Sequence, residues 1–194
     1  GGPETRDRLA ARAFASVLPG SRSVQVGDTA TFYATIVNGG DEAALDCSIV
    51  STDNLPGAWQ VRTTDPATNA PIGTAGVPVD IAAGASQSYV LAFTPSEPVT
   101  SIDLSFDIRC SNAPAAPVTS GVNTLLFSAS EQPVADLVAL AATVDGDGVV
   151  RLGNSGAFSV AAVNVGADST IDVTVDTGAA PQPMAYSICQ TDPD

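Results

Sequence analysis

Histidine and lysine are absent altogether, and the 194 residues include one Met, one Trp and three Cys. Without His there is no usual general base near neutral pH, no Ser-His-Asp triad and little basis for a zinc site. Without Lys there is neither a Schiff base nor a lysine base. An enzyme built on this sequence is left with paired carboxylates, as in glycoside hydrolysis. Positive charge is also scarce, since seven Arg stand against 21 acidic residues for a formal net charge of -14. That surface repels a phosphate backbone or an anionic membrane, so neither is expected as a partner. The acids are scattered, which reads as a solvated surface. No apolar run approaches the roughly 20 residues of a membrane-spanning helix, and no basic-then-apolar leader stands at the start. The chain opens on Gly1 rather than Met, and an upstream piece is expected to have been removed or left out.

What is present points to short strands and turns. Ala, Val, Leu and Ile dominate a hydrophobic fraction of 44%, and 17 Gly and 14 Pro are spread along the chain, as an all-β fold requires. Strands are expected at 13–18, 23–26, 29–38, 44–50, 59–63, 77–81, 87–93, 101–110 and 122–128 from period-two alternation bounded by turn residues.

The sequence also repeats itself. Residues 26–41, VGDTATFYATIVNGGD, reappear as LGNSGAFSVAAVNVGA at 152–167. A single displacement aligns 12–47 with 138–173 without a gap, matching Phe32 to Phe158, Asn38 to Asn164 and Gly40 to Gly166. Turn glycines and core positions match together, which argues for a true internal duplication. The expected organisation is a linker or extension at 1–11, an immunoglobulin-like β-sandwich at 12–128, a linker at 129–136, and a second, partial immunoglobulin-like module at 137–194. Counterparts of 77–128 are missing from the second copy. Half a sandwich exposes an apolar face and open strand edges. Three resolutions stand: a longer natural chain, a smaller variant of the module, or completion by strands from a neighbouring subunit.

Alternation places Cys47 and Cys110 on the apolar faces of their strands. A disulfide between them is expected, and would imply an oxidising compartment; two buried free thiols are the alternative. Asp145-Gly146-Asp147-Gly148 is the nearest approach to a metal motif. Its alternating acids suit calcium, but the further ligands of a calcium loop are not evident, and a plain hairpin turn is the simpler reading. Trp59, after Leu55-Pro56-Gly57-Ala58, is a ligand-binding candidate as a sugar-stacking platform, or a core residue with Val61 beside it. Asp103 and Asp107 share an outward face with Arg109 without a recognisable cleft. Cys189 has no evident activating neighbour.

The glycine turn, the alternating strand and the Val-Asn-Xaa-Gly ending resemble the immunoglobulin-like repeat modules of bacterial surface and secreted proteins, including CARDB-like adhesion modules. Segments at 11–27, 63–69, 80–97, 135–148 and 187–194 are similar to those of proteobacterial hypothetical repeat proteins. The resemblance implies secretion to the cell surface or beyond, a chain continuing past Asp194, and a disulfide partner for Cys189 outside this sequence. The expected function is a non-enzymatic structural subunit of a filament, matrix or adhesin, homo-oligomeric through strand addition and without a cofactor. The alternative is an extracellular glycan- or protein-binding module acting through its loops.

Overall fold

A computed structural model describes residues 10–153, 155–176 and 183–191. Among them the chain is all-β, with twelve strands in several sheets. The first sheet has the order β1-β3-β7-β5, formed by Ala13–Leu18, Ala30–Asn38, Ser86–Pro95 and Gly57–Thr63. Facing it are two three-stranded pieces. One is β6-β4-β9, from Val79–Ile81, Ala44–Ser51 and Phe106–Arg109. The other is β2-β10-β8, from Ser21–Gln25, Leu125–Ser130 and Val99–Leu104. A separate hairpin pairs β11, Leu137–Thr143, with β12, Phe158–Asn164.

The alternation explains the layers. In β3, Ala30, Phe32, Ala34 and Ile36 all point inward and are fully buried, while Tyr33 and Val37 face out. Leu91 and Phe93 of β7 do the same, and Leu104, Phe106, Ile108, Leu125 and Phe127 meet them from the opposite sheets. Four phenylalanines and Trp59 form one ring cluster across the layers. This arrangement fits a β-sandwich, whose core is the interdigitated inner faces of two sheets.

Three expectations need correction. The strand read at 101–110 is two strands meeting at Ser105. The Ser105 N–H donates to Asp53 Oδ2 at 2.9 Å, and its carbonyl accepts from Thr52 N and Oγ1, both at 3.0 Å. Its backbone therefore serves the 51–53 corner, and β8 pairs with β10 while β9 pairs with β4. The strand read at 122–128 runs over Leu125–Ser130, because Asn123 is held in a turn, its side chain accepting from Thr119 N.

The ungapped repeat also slips in its first strand. Ala13 stands opposite Asn38, and the residue opposite Asn164 is Leu137, not Ala139. The surplus is taken up in the turn between β11 and β12, and the inward face of the strand is preserved because the slip is even.

Candidate functional site

The candidate site is the β11–β12 hairpin and the joint that holds it. Both repeats use one bracket. Asn38 Oδ1 accepts from Arg12 N at 3.3 Å and Gly40 N at 3.0 Å; Asn164 Oδ1 accepts from Asp136 N at 2.9 Å and Gly166 N at 3.1 Å. Gly39 N donates to Arg12 O at 2.9 Å, and Val165 N to Asp136 O at 2.8 Å. An Asn side chain thus ties the entry of one strand to the exit of its partner, satisfying backbone groups the ladder leaves open. A Cβ on Gly40 would collide with the Ala10 carbonyl, and one on Gly166 with the Val134 carbonyl, so both turns demand glycine.

The two strand pairs then differ in what covers them. β3 is flanked by β1 and β7, and its Phe32 is 0% exposed. β12 pairs with β11 alone among the described residues, and its Phe158 is 61% and Val160 55% exposed. Neither strand of the hairpin carries a charged side chain. The edge of β12 that matches the β7 edge of β3 lacks a strand partner among the described residues, leaving backbone donors and acceptors along it.

The joint was not legible as a site. Asp136 lies in the stretch read as a linker, yet it is 3% exposed. Its Oδ2 takes Arg22 Nε at 2.9 Å and Nη2 at 2.8 Å, and its Oδ1 takes Ser23 N at 2.9 Å. The remaining Arg22 nitrogen, Nη1, donates to the Thr31 carbonyl, and Ser21 Oγ donates to the Leu137 carbonyl at 3.0 Å. A charged pair withdrawn from water needs this full set of partners. The approach to the joint is also anchored, by Val26 N on Ser130 O and Gln25 Nε2 on Glu131 O. The sequence signal was available in part: Asp136 occupies the place of Arg12 in the repeated bracket.

The other sequence candidates fall in separate places. Cys47 and Cys110 are joined by a buried disulfide, S–S 2.05 Å, linking β4 to the end of β9. Trp59 packs into the core, stacked on Phe93 at 4.3 Å and edge-on to Phe32 and Phe106 at 6.2 Å each. Its remaining surface lines a cleft of about 290 Å3 between β4 and β5, with Ile49, Val61, Val77 and Tyr89. Burial pushes the Tyr89 hydroxyl up to about 12; that group donates to the Cys47 carbonyl at 3.3 Å.

Asp145 and Asp147 are both turned onto Arg151, at 2.7 and 2.8 Å. The Val149 amide, and then Arg151, hold the Asp147 carboxyl below the usual carboxylate range. A calcium ion would have to displace that guanidinium, and among the described residues no three acidic, His or Cys side chains cluster as metal ligands. Asp107, on β9, pairs with its neighbour Arg109 at 3.1 Å, while Asp103, on β8 in the other three-stranded piece, accepts from Ser120 Oγ. Cys189 is exposed and unbonded. No helix among the described residues is long and apolar enough to cross a membrane, and a buried disulfide is what an oxidising compartment sustains. Compared with known proteins, the chain matches no family model and no curated protein.

Proposed function

We propose that the chain is a non-enzymatic structural subunit of a bacterial surface or extracellular assembly, built from tandem immunoglobulin-like modules. Its second module is completed by a strand added from a neighbouring subunit. One observation carries this reading: Phe158 and Val160 stand in the open on a strand whose repeat counterpart, β3, has Phe32 and Ala34 fully buried, with β7 paired along its edge and the facing sheets across its inner face. The same fold logic supplies the missing element. An added strand would run antiparallel to β12, as β7 runs to β3, and would set apolar side chains opposite Phe158 and Val160 as β7 sets Leu91 and Tyr89 opposite Phe32 and Ala34.

Sedimentation of the native material, followed by negative-stain imaging of the fast fraction, tests the assembly. Filaments or ordered particles are the expected result, and a strictly monomeric chain at high concentration sinks it. A synthetic peptide of the Ser86–Pro95 sequence tests the mechanism separately, since it should bind the full chain and protect the β12 amides from exchange.

A second reading has its own observation, the cleft beside Trp59 between β4 and β5. Concave apolar pockets with a few polar groups are ordinary ligand sites, and a glycan or protein loop would meet Ser48 and Gln60 there. Saturable binding on a glycan array, lost in Gln60→Ala, would move this reading ahead of the first.

A further inference from the structure

Asn38 is followed directly by Gly39, a pair with a chemistry of its own. We infer that Asn38-Gly39 is a spontaneous deamidation site that the fold holds silent, and that its reaction in an opened chain makes unfolding irreversible. The Gly39 backbone nitrogen gives up its proton to water and attacks Asn38 Cγ. A C–N bond forms and closes a succinimide, while the Cγ–Nδ2 bond breaks and Nδ2 leaves as ammonia, taking up a proton. Water then opens the ring at either imide carbonyl, leaving aspartate or its backbone-shifted isomer. The balance is one amide and one water converted to one acid and one ammonia, with no redox partner. Glycine favours the step because no side chain shields the attacking nitrogen.

In the folded chain every atom of that reaction is occupied. The Gly39 N–H is donated to Arg12 O at 2.9 Å. Asn38 is 0% exposed, and its Oδ1 is fixed by Arg12 N and Gly40 N. Its Nδ2 donates to the carbonyls of Glu42, Ile81 and Ala82 at 2.7, 3.1 and 3.2 Å. Ring closure needs the start of β1 lifted off Gly39 and the amide pulled from these carbonyls.

The product cannot return to the same place. A carboxylate has no N–H to give, so the buried Ile81 carbonyl and the part-buried carbonyls of Glu42 and Ala82 would face another acceptor, and a buried unmatched polar group is costly. The corner that gathers the end of β3, the start of β4 and the β6–β7 turn would not reform. Asn164 has the same bracket but is followed by Val165, whose branched side chain shields the nitrogen, so the second clamp escapes this fate.

The test holds the full chain in native buffer and in denaturant at mildly alkaline pH, then maps amide loss by mass spectrometry after reduction and trypsin. The peptide from Ser23 to Arg62 carries both Asn38 and Asn54, and fragmentation separates them. In denaturant, loss at Asn38 is expected well ahead of Asn54 and Asn164; in native buffer it is expected to be absent. The fraction failing to regain the near-ultraviolet circular dichroism of Trp59 on refolding should equal the fraction modified. Gly39→Ala should restore reversibility, the added Cβ meeting only the half-exposed Phe14 ring. Should that variant fold poorly, Asn38→Asp asks the second half directly and is expected to prevent folding. Equal amide loss in both buffers, or an Asn38→Asp chain as stable as the original, overturns the inference.

Discussion

The β1–β3 and β11–β12 pairs have one plan and opposite surroundings. Each is an antiparallel pair closed by an Asn that grips the residue before the first strand, and each keeps its glycine where backbone comes close. The first is a member of a four-stranded sheet over a phenylalanine core, and the second stands apart from any second layer among the described residues. The bracket is local hydrogen bonding and needs no core. Burial is a tertiary property, set by what lies across the sheet. The repeated bracket therefore sets which strands pair, while what covers their hydrophobic face is set elsewhere in the fold.

The sharpest way to break this comparison is to cut the same ring from both copies. Phe32→Ala should destabilise the sandwich by about 3–5 kcal/mol, the cost of a cavity in a packed core, read as a shifted denaturation midpoint. Phe158→Ala should leave that midpoint within about 0.5 kcal/mol and abolish assembly in the sedimentation profile. If both variants lowered the midpoint alike, β12 would be covered in solution and the contrast would fall.

The joint offers the next largest effect. Removing one partner of a buried ion pair costs about 3–5 kcal/mol where the other is left unmatched. In Asp136→Ala the loss should be local. Exchange protection should disappear from 136–165 while the β3 and β7 amides keep theirs, and proteolysis after Glu131 should become fast. Asp136→Asn should be milder, because the amide oxygen still accepts from Ser23 N. A loss of protection throughout the sandwich would mean that the two strand pairs are one cooperative unit.

How much of this could be read beforehand follows the same division. Alternation announced β3, β7 and the inward Cys47 and Cys110, because period two is written in neighbouring residues. The hand-over at Ser105 left no mark, since Leu104, Phe106 and Ile108 stay inward through it and only the hydrogen-bond partners change. Asp136 looked like linker because its burial depends on Arg22, 114 positions away. The slip of β11 was invisible because Ala139 and Leu137 are equally acceptable on an apolar face, and only the Asn164 bracket chooses between them. Trp59 stood open between stacking platform and core with Val61 beside it; it packs on Phe93, and the cleft it borders depends on how far β4 and β5 part.

Alkaline pH separates the regions by a different route. Tyr89 sits on β7 opposite Ala34, in the covered half, and its hydroxyl is raised to about 12 from 10.0 by burial. A raised value means the neutral form is favoured by folding. The stabilisation is complete below the unfolded value and is lost as pH climbs from about 10 to 12, worth roughly 2–3 kcal/mol in full. The sandwich midpoint should fall across that window, and Tyr89→Phe should flatten the fall at the expense of the bond to Cys47 O.

The smallest effect belongs to the exposed hairpin and has the opposite sign. Asp147 is held below its ordinary 3.8 by the Val149 amide and then by Arg151. A lowered value means the charged form is favoured, so the contribution is present above the unfolded value and is lost as pH falls through the folded one. Both carboxylates on Arg151 are solvent-facing, and screening keeps such pairs weak. Acid should therefore loosen the turn joining β11 to β12, with exchange rising at Gly148 and Val149 below about pH 4, and leave the sandwich midpoint alone. Arg151→Ala should make those amides exchange freely at neutral pH. Because the added strand is proposed to lie along β12, on the edge away from β11, that variant should still assemble. An Arg151→Ala chain that loses assembly would extend the partner's contact from the strand edge to the turn.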